Sequence, residues 1–316
     1  MVEIMRVVFI GTPEFAVPPL QSLLDHRYKI SAVFTQPDRP SGRGRKVQAS
    51  PVKLFAQSRN IPVFQPETIR AEENHPIFES LAPDFIVVAA YGQILPGWLL
   101  RAARIATINI HGSLLPRYRG AAPIAWSILN GDSITGVTTM LMEETLDSGP
   151  ILLQKEVQIP LTITAGALTA EMSLAGADLM IETLVGMEKN AISPVIQDES
   201  FVSWAPRISR AVAQISWEKP ALAIHNQIRA MNPWPGANAN FQNERLLIWR
   251  SSPENHSFSP NAPGTFLGVL DSGIRIQCGE STVLDLLELQ APAKSRVTGR
   301  EFANGMRLHS GDRIFE

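Results

Sequence analysis

Asn109 and His111 stand two apart at the end of an apolar, β-branched run, Ile105 to Ile110. In a strand, residues two apart face the same way. The pattern therefore predicts a strand that ends near His111 and opens into a loop running to Gly120, with Asn109 and His111 on one face and Ile110 buried on the other. A carboxamide beside an imidazole can steady a developing negative charge and hand over a proton. Asp147 lies in an acidic, Gly-ended stretch, Glu143 to Gly149, just past another expected strand. If the two strands are neighbours, its carboxylate joins the pair. The residue types leave a structural reading open, because a lone His is often a satisfied core or surface residue and an Asp before Ser-Gly is often a turn former. Ser113 lacks the Gly-x-Ser-x-Gly elbow of a serine hydrolase. The other histidines (His26, His75, His225, His256, His309) lack ligand spacing, so no metal site is expected.

The elements that must hold these residues alternate. Met5 to Ile10 reads as a buried parallel strand, and Gly11-Thr12-Pro13-Glu14 starts a helix that runs to about His26. Ile30 to Thr35 completes a βαβ unit. Helices are expected over Pro51 to Asn60, Glu67 to Leu81, Ala121 to Leu129 and Ala165 to about Lys189. Strands are expected over Pro62 to Phe64, Phe85 to Ala90, Gly136 to Met142 and Ile151 to Ile159. Such alternation implies an α/β, Rossmann-like, mostly parallel sheet covered on both faces. Its ligand crevice would lie at the carboxyl ends of the strands, where His111 and the loop Tyr91 to Pro96 both open. A dinucleotide fingerprint needs more glycines than Gly11 alone, which argues against a nicotinamide site.

The texture changes after about Ser203. One amphipathic helix, Ala221 to Met231, precedes short strands at Arg245 to Trp249, Gly264 to Leu270, Gly273 to Cys278 and Thr282 to Leu289. That spacing suggests a small OB-like β-barrel. The expected domains are therefore 1–203 and 204–316. From Ile208 onward there are 11 Lys+Arg and 10 Asp+Glu, and the whole chain carries a net charge of −2. Any nucleic-acid contact must therefore come from a local patch. The stretch Gln36 to Ser50 is one such patch. It sets Arg39, Arg43, Arg45 and Lys46 against Asp38, is broken by Pro37, Pro40, Gly42 and Gly44, and reads as a loop without helix or strand. A solvated surface loop and a phosphate-binding arm are equally open from the residues alone. A single cysteine, Cys278, excludes an internal disulfide. No stretch reads as a membrane span or signal peptide, so a cytoplasmic monomer is the default expectation.

The motif Asn109-x-His111-x-Ser113-Leu114-Leu115-Pro116, followed by Leu146-Asp147-x-Gly149, resembles the signature of the folate-dependent formyltransferases. Gly11-Thr12-Pro13-Glu14-Phe15, Phe34 to Gly44, Arg119-Gly120-Ala121-Ala122-Pro123, Ala230 to Ala237 and Gly299 to Gly305 resemble the branch that acts on initiator tRNA. The similarity runs the length of the chain. It implies the formyltransferase fold, 10-formyltetrahydrofolate as co-substrate, no metal, and formyl transfer to the α-amino group of methionyl initiator tRNA. By position it implies Asn109, His111 and Asp147 as the catalytic trio. Ser113, Leu114, Leu115 and Pro116 would line the folate site, the loop Tyr91 to Pro96 would hold the pterin, and Arg39, Arg43, Arg45 and Lys46 would meet the tRNA. In this reading Asn109 and His111 donate to the formyl oxygen, and Asp147 takes the amine's proton and orients His111. Trp204-Ala205-Pro206-Arg207-Ile208 departs from the family's usual linker pattern. Two rivals remain: a formyltransferase for a small amine (an amino-sugar nucleotide or glycinamide ribonucleotide), and a non-catalytic RNA-binding protein.

Overall fold

The computed structural model describes residues 4–41, 46–254 and 261–315. Its described residues fall into two compact units, one from Met1–Pro123, Ile134–Gln158 and Thr169–Pro206, the other from Ile124–Ser133, Ile159–Leu168 and Arg207–Glu316. The division is thus not one cut in sequence, because two short pieces ahead of the tail group with it.

The first unit is an α/β domain. Its strands are β1 (Arg6–Gly11), β2 (Lys29–Phe34), β3 (Arg39–Ser41), β4 (Lys46–Gln48), β5 (Val63–Phe64), β6 (Phe85–Ala89), β7 (Ala106–His111), β8 (Ile134–Leu141) and β9 (Ile151–Gln158). Its helices are α1 (Val17–Asp25), α2 (Pro51–Ser58), α3 (His75–Leu81) and α4 (Gly97–Leu100). Two further helices, α5 (Pro123–Leu129) and α6 (Ala165–Glu188), begin or end across the division. Seven strands form one sheet in the order β5-β2-β1-β6-β7-β8-β9. Every pair from β5 to β7 is parallel, and β8 and β9 are antiparallel additions. The continuous apolar runs of β1, β2 and β6 have no polar face because both faces are covered. At Gly176, α6 comes so close to Ile110 and Val137 that a Cβ would lie 2.9 Å from the Ile110 methyl. The Ile110 face of β7 is therefore taken by a helix, and the alternation of the strand leaves Asn109 and His111 on the other.

The basic stretch is not featureless. β3 and β4 pair antiparallel, Arg39 with Gln48 and Pro40 with Val47, where an irregular loop was expected. Proline is tolerated because a two-stranded ribbon has an outer edge that needs no donor. Asp38 anchors the base of this ribbon, through Lys53 at 2.6 Å and Gln65 at 2.7 Å. The helix expected over Glu67 to Leu81 is also shorter. A 3-10 turn at Glu72–Asn74 leads into α3, whose first turn holds Pro76, the natural place for a residue without an N–H.

The second unit carries α7 (Ala221–Ala230) and an antiparallel sheet of β10 (Ala237–Phe241), β11 (Glu244–Glu254), β12 (Phe266–Val269), β13 (Ile274–Gln277), β14 (Val283–Gln290) and β15 (Val297–Thr298). The helix α8 (Gly299–Met306) follows, started by a capping box between Thr298 and Glu301.

Phe78 of α3 is fully buried and stacks on Phe34 of β2 at 4.4 Å between ring centroids, with Trp98 at 5.7 Å. Truncating it opens a cavity that the sheet cannot close. Phe78→Ala is expected to lower stability by about 3–5 kcal/mol, read as a lower denaturant midpoint with an unchanged slope.

Candidate active site

β1, β2, β6 and β7 run parallel, so their carboxyl ends lie along one edge of the sheet. Thr12, Gln36, Tyr91 and His111 follow or end those strands. Polar bonds join the first three. Gln36 Nε2 donates to Tyr91 O at 3.1 Å, its backbone N–H to the Thr12 hydroxyl at 3.2 Å, and Gln93 Nε2 to Gln36 Oε1 at 3.3 Å. The base of the basic ribbon is thereby tied to the loop Tyr91 to Pro96. Tyr91 itself is buried, and its hydroxyl, which has no partner, is pushed up to about 12 by that burial.

His111 is buried at the end of β7. Its Nε2 lies 2.9 Å from the carbonyl oxygen of Tyr118. A carbonyl only accepts, so Nε2 carries the hydrogen, and Nδ1 is left as the position where a proton can come or go. Nδ1 faces Asp147 Oδ2 at 3.6 Å. That separation is longer than a hydrogen bond. The same Oδ2 accepts from the backbone N–H of Gly120 at 2.8 Å. Among the described residues, Asp147 Oδ1 and the Asn109 carboxamide make no hydrogen bond to the protein. Asn109 is half-buried, so its amide is left with unspent donors at the sheet edge.

The route by which Asp147 arrives is not the expected one. β8 neighbours β7 but runs against it, so its last residue, Leu141, pairs with Ile108 and not with His111, whose partner is Thr138. The segment after β8 must travel back along β7 to bring the carboxylate up. Asp147 sits there in the left-handed region, φ 52°. Gln197, which the sequence reading did not single out, donates from Nε2 to Asp147 O at 2.8 Å and Gly149 O at 2.7 Å.

Of the expected folate residues, Ser113 and Leu115 are buried, while Leu114 and Pro116 keep partial exposure. The Ser113 hydroxyl donates to Arg117 O at 2.6 Å, and the Leu115 N–H to the Thr138 hydroxyl at 3.1 Å. Their polar groups are spent on shaping the loop. Arg39 is exposed and donates to Gln36 Oε1 at 3.3 Å. Arg43 and Arg45 lie outside the described residues, as does the side chain of Lys46. Among the described residues no three His, Cys, Asp or Glu are grouped to hold a metal ion.

Comparison with known proteins agrees with this architecture. Residues 5–184 match the formyl transferase family and residues 207–307 its C-terminal domain. The chain is 42% identical over 312 residues to a methionyl-tRNA formyltransferase of Solibacter usitatus, covering 99% of both chains. It is 45% identical over 306 residues to one of Trichlorobacter lovleyi, covering 97% of this chain and 96% of that one. Among solved structures it resembles an N-formyltransferase of Helicobacter canadensis in complex with folinic acid and dTDP-3-aminofucose. There the TM-score is 0.66 at 20% identity, over 90% of this chain and 99% of that one, a likeness of fold.

Gly120 is the pivot of the site. Its φ is +123°, and a Cβ would lie 2.7 Å from the carbonyl oxygen of Ala205. Gly120→Ala must move the N–H that holds Asp147. Turnover is expected to fall by about tenfold or more and stability by about 1–3 kcal/mol, measured by steady-state kinetics and denaturant unfolding of the same preparation.

Proposed function

The chain belongs to the formyl transferase family, and from that premise we propose that it moves the formyl group of 10-formyltetrahydrofolate onto the α-amino group of methionyl initiator tRNA, giving N-formylmethionyl-tRNA. End-to-end identity of 42–45% with methionyl-tRNA formyltransferases carries the reading. The small-amine alternative is the activity of the neighbours in fold, at 20% identity. Four cations in the sequence between Arg39 and Lys46 favour a polyanionic acceptor over a sugar nucleotide. A purely RNA-binding role leaves the buried His111–Asp147 pair without a purpose.

In this reading the first unit is catalytic and the second binds tRNA, and the protein works as a cytoplasmic monomer. No helix among the described residues is long and apolar enough to cross a membrane. The unpartnered amide of Asn109 and the partly exposed Leu114 and Pro116 suit a formyl-bearing folate at this edge. That co-substrate supplies an activated one-carbon carbonyl.

The residues do the rest. A free α-amino group has a pKa of about 8, and esterification of the carboxyl lowers it, so much of the nucleophile is neutral near pH 7. Activation is therefore a minor task, and the larger one is the charge that collects on the formyl oxygen as nitrogen adds to carbon. Asn109 donates to that oxygen; His111, expected to share the task, spends its Nε2 hydrogen on the Tyr118 carbonyl. Asp147, its Oδ1 unengaged, takes the proton that the amine sheds. The proton crosses to Nδ1 of His111, and His111 delivers it to the folate nitrogen as the old carbon–nitrogen bond breaks. One bond forms, one breaks, and the proton count closes. The Tyr118 carbonyl fixes the ring so that Nδ1, and not Nε2, faces the exchange.

Removing one donor to a developing oxyanion costs about 10²–10³ in rate. Asn109→Ala should lose at least that much kcat, and His111→Ala, which removes the proton donor to the leaving nitrogen, about 10²–10⁴, both with tRNA binding intact, measured with methionyl initiator tRNA, elongator tRNA and small amines as parallel acceptors. Turnover close to wild type in either variant removes that residue from the chemistry. Arg39, Arg43, Arg45 and Lys46 are assigned to phosphates. Arg43→Ala should raise KM for tRNA and reduce the salt slope of binding by about one unit. A change confined to KM for the folate would refute the assignment.

A further inference from the structure

The segment that closes the first unit, from Val195 to Pro206, does more than lead to the tail. Val195 exchanges two backbone hydrogen bonds with Ile151, each 2.8 Å. Ser203 O accepts from Arg119 N at 2.9 Å, and Ala205 N donates to Arg119 O at 2.8 Å. Between these anchors, Gln197 is buried, 5% exposed, and its carboxamide is saturated. Its two N–H bonds go to Asp147 O and Gly149 O. Its oxygen accepts from Arg119 Nε at 3.0 Å and Nη2 at 2.9 Å. Arg119 is itself 3% exposed, and Glu199 supplies its counter-charge at 2.8 Å from an exposed position.

We propose that Gln197 is the positioning residue for the Asp147 carboxylate, with Arg119 and Glu199 as its support. The inference rests on the catalytic reading of Asp147 given above. Four residues before Asp147, Glu143 to Leu146, are exposed, so the loop has little packing of its own there. Asp147 must nonetheless hold a left-handed conformation with its carboxylate turned to Gly120 and His111. Gln197 grips the main chain at Asp147 and again two residues later, which fixes the peptide planes that follow Asp147 and Gly149. Only an amide can do this. Two carbonyls demand a double donor on one side, and a guanidinium demands an acceptor on the other. A glutamate of the same size would still satisfy Arg119 but would turn an acceptor toward two carbonyl oxygens. A misplacement of about 1 Å in a reacting group can cost about 10² in rate.

The test uses the full-length protein with 10-formyltetrahydrofolate and methionyl initiator tRNA. Gln197→Glu is expected to lower kcat by about 10–100-fold, with KM for both substrates within about twofold of wild type. In an Asp147→Asn background the same substitution should add almost nothing, because the group it positions is already disabled. Should Gln197→Glu fold poorly, Glu199→Gln on the exposed carboxylate loosens Arg119 with little risk to the core. It should lower kcat several-fold in the wild-type background and leave Asp147→Asn unchanged. Turnover of Gln197→Glu near wild type overturns the proposal. So does a loss of equal size in both backgrounds, the mark of a general structural role. Near-wild-type turnover of Asp147→Asn alone would instead remove the carboxylate from the reaction, and with it the reading on which the inference stands.

Discussion

A sheet that reverses direction between β7 and β8 cannot bring two side chains to one edge by strand ends alone. His111 reaches the edge for free, since β7 points there. Asp147 does not, because β8 finishes level with Ile108. The carboxylate is therefore delivered by a loop that doubles back, and its position is set by hydrogen bonds from other segments. The Gly120 N–H holds the carboxylate oxygen, and Gln197 holds the main chain beneath it. Much else in the first unit follows from that demand. Gly120 must be glycine, the 203–205 segment must lie against Arg119 and Gly120, and a buried arginine must be tolerated because it orients the amide that holds the loop.

Burying Arg119 carries a desolvation cost, which its polar partners oppose. Its guanidinium meets a buried carboxamide oxygen and, at the surface, an exposed carboxylate. The His111–Asp147 pair is built on the opposite plan. The two face each other at 3.6 Å with one acceptor oxygen already occupied by Gly120. A support is saturated; the pair that the proposed reading makes a proton relay is not.

The sequence carries the parallel half of this fold openly. The apolar runs of β1, β2, β6 and β7 are long, β-branched and bounded by turns, and each lies close to where periodicity puts it. The Asn109-x-His111 spacing places two groups on one face by the period of a strand, a local fact. Asp147 is legible as a residue and not as a position, since its placement depends on strand direction and on partners 27 and 50 residues away. Gln197 gives no signal at all, because a glutamine in a short polar stretch has no periodicity or motif. β10 is hidden for another reason. Ala237-Asn238-Ala239-Asn240-Phe241 has weak strand propensity, and pairing with β11 overrides it. The ribbon of β3 and β4 is masked by the Pro and Gly that punctuate it.

Every polar contact described for His111 and Asp147 comes from residues of the first unit. In the proposed reading the chemistry belongs to that unit, and the second unit binds tRNA. Its near-neutral charge fits a partner held at a few placed points, for a strongly basic wrapper would seize any nucleic acid without regard to its shape. Arg39, Arg43, Arg45 and Lys46 fall instead in the sequence between β2 and α2, where Gln36 shares hydrogen bonds with the strand-end loops along the edge where β7 delivers His111. In the proposed reading, charge placed there acts on the acceptor near the reacting atoms, where holding one end of a long polyanion still does most to align a single amine with a single carbonyl.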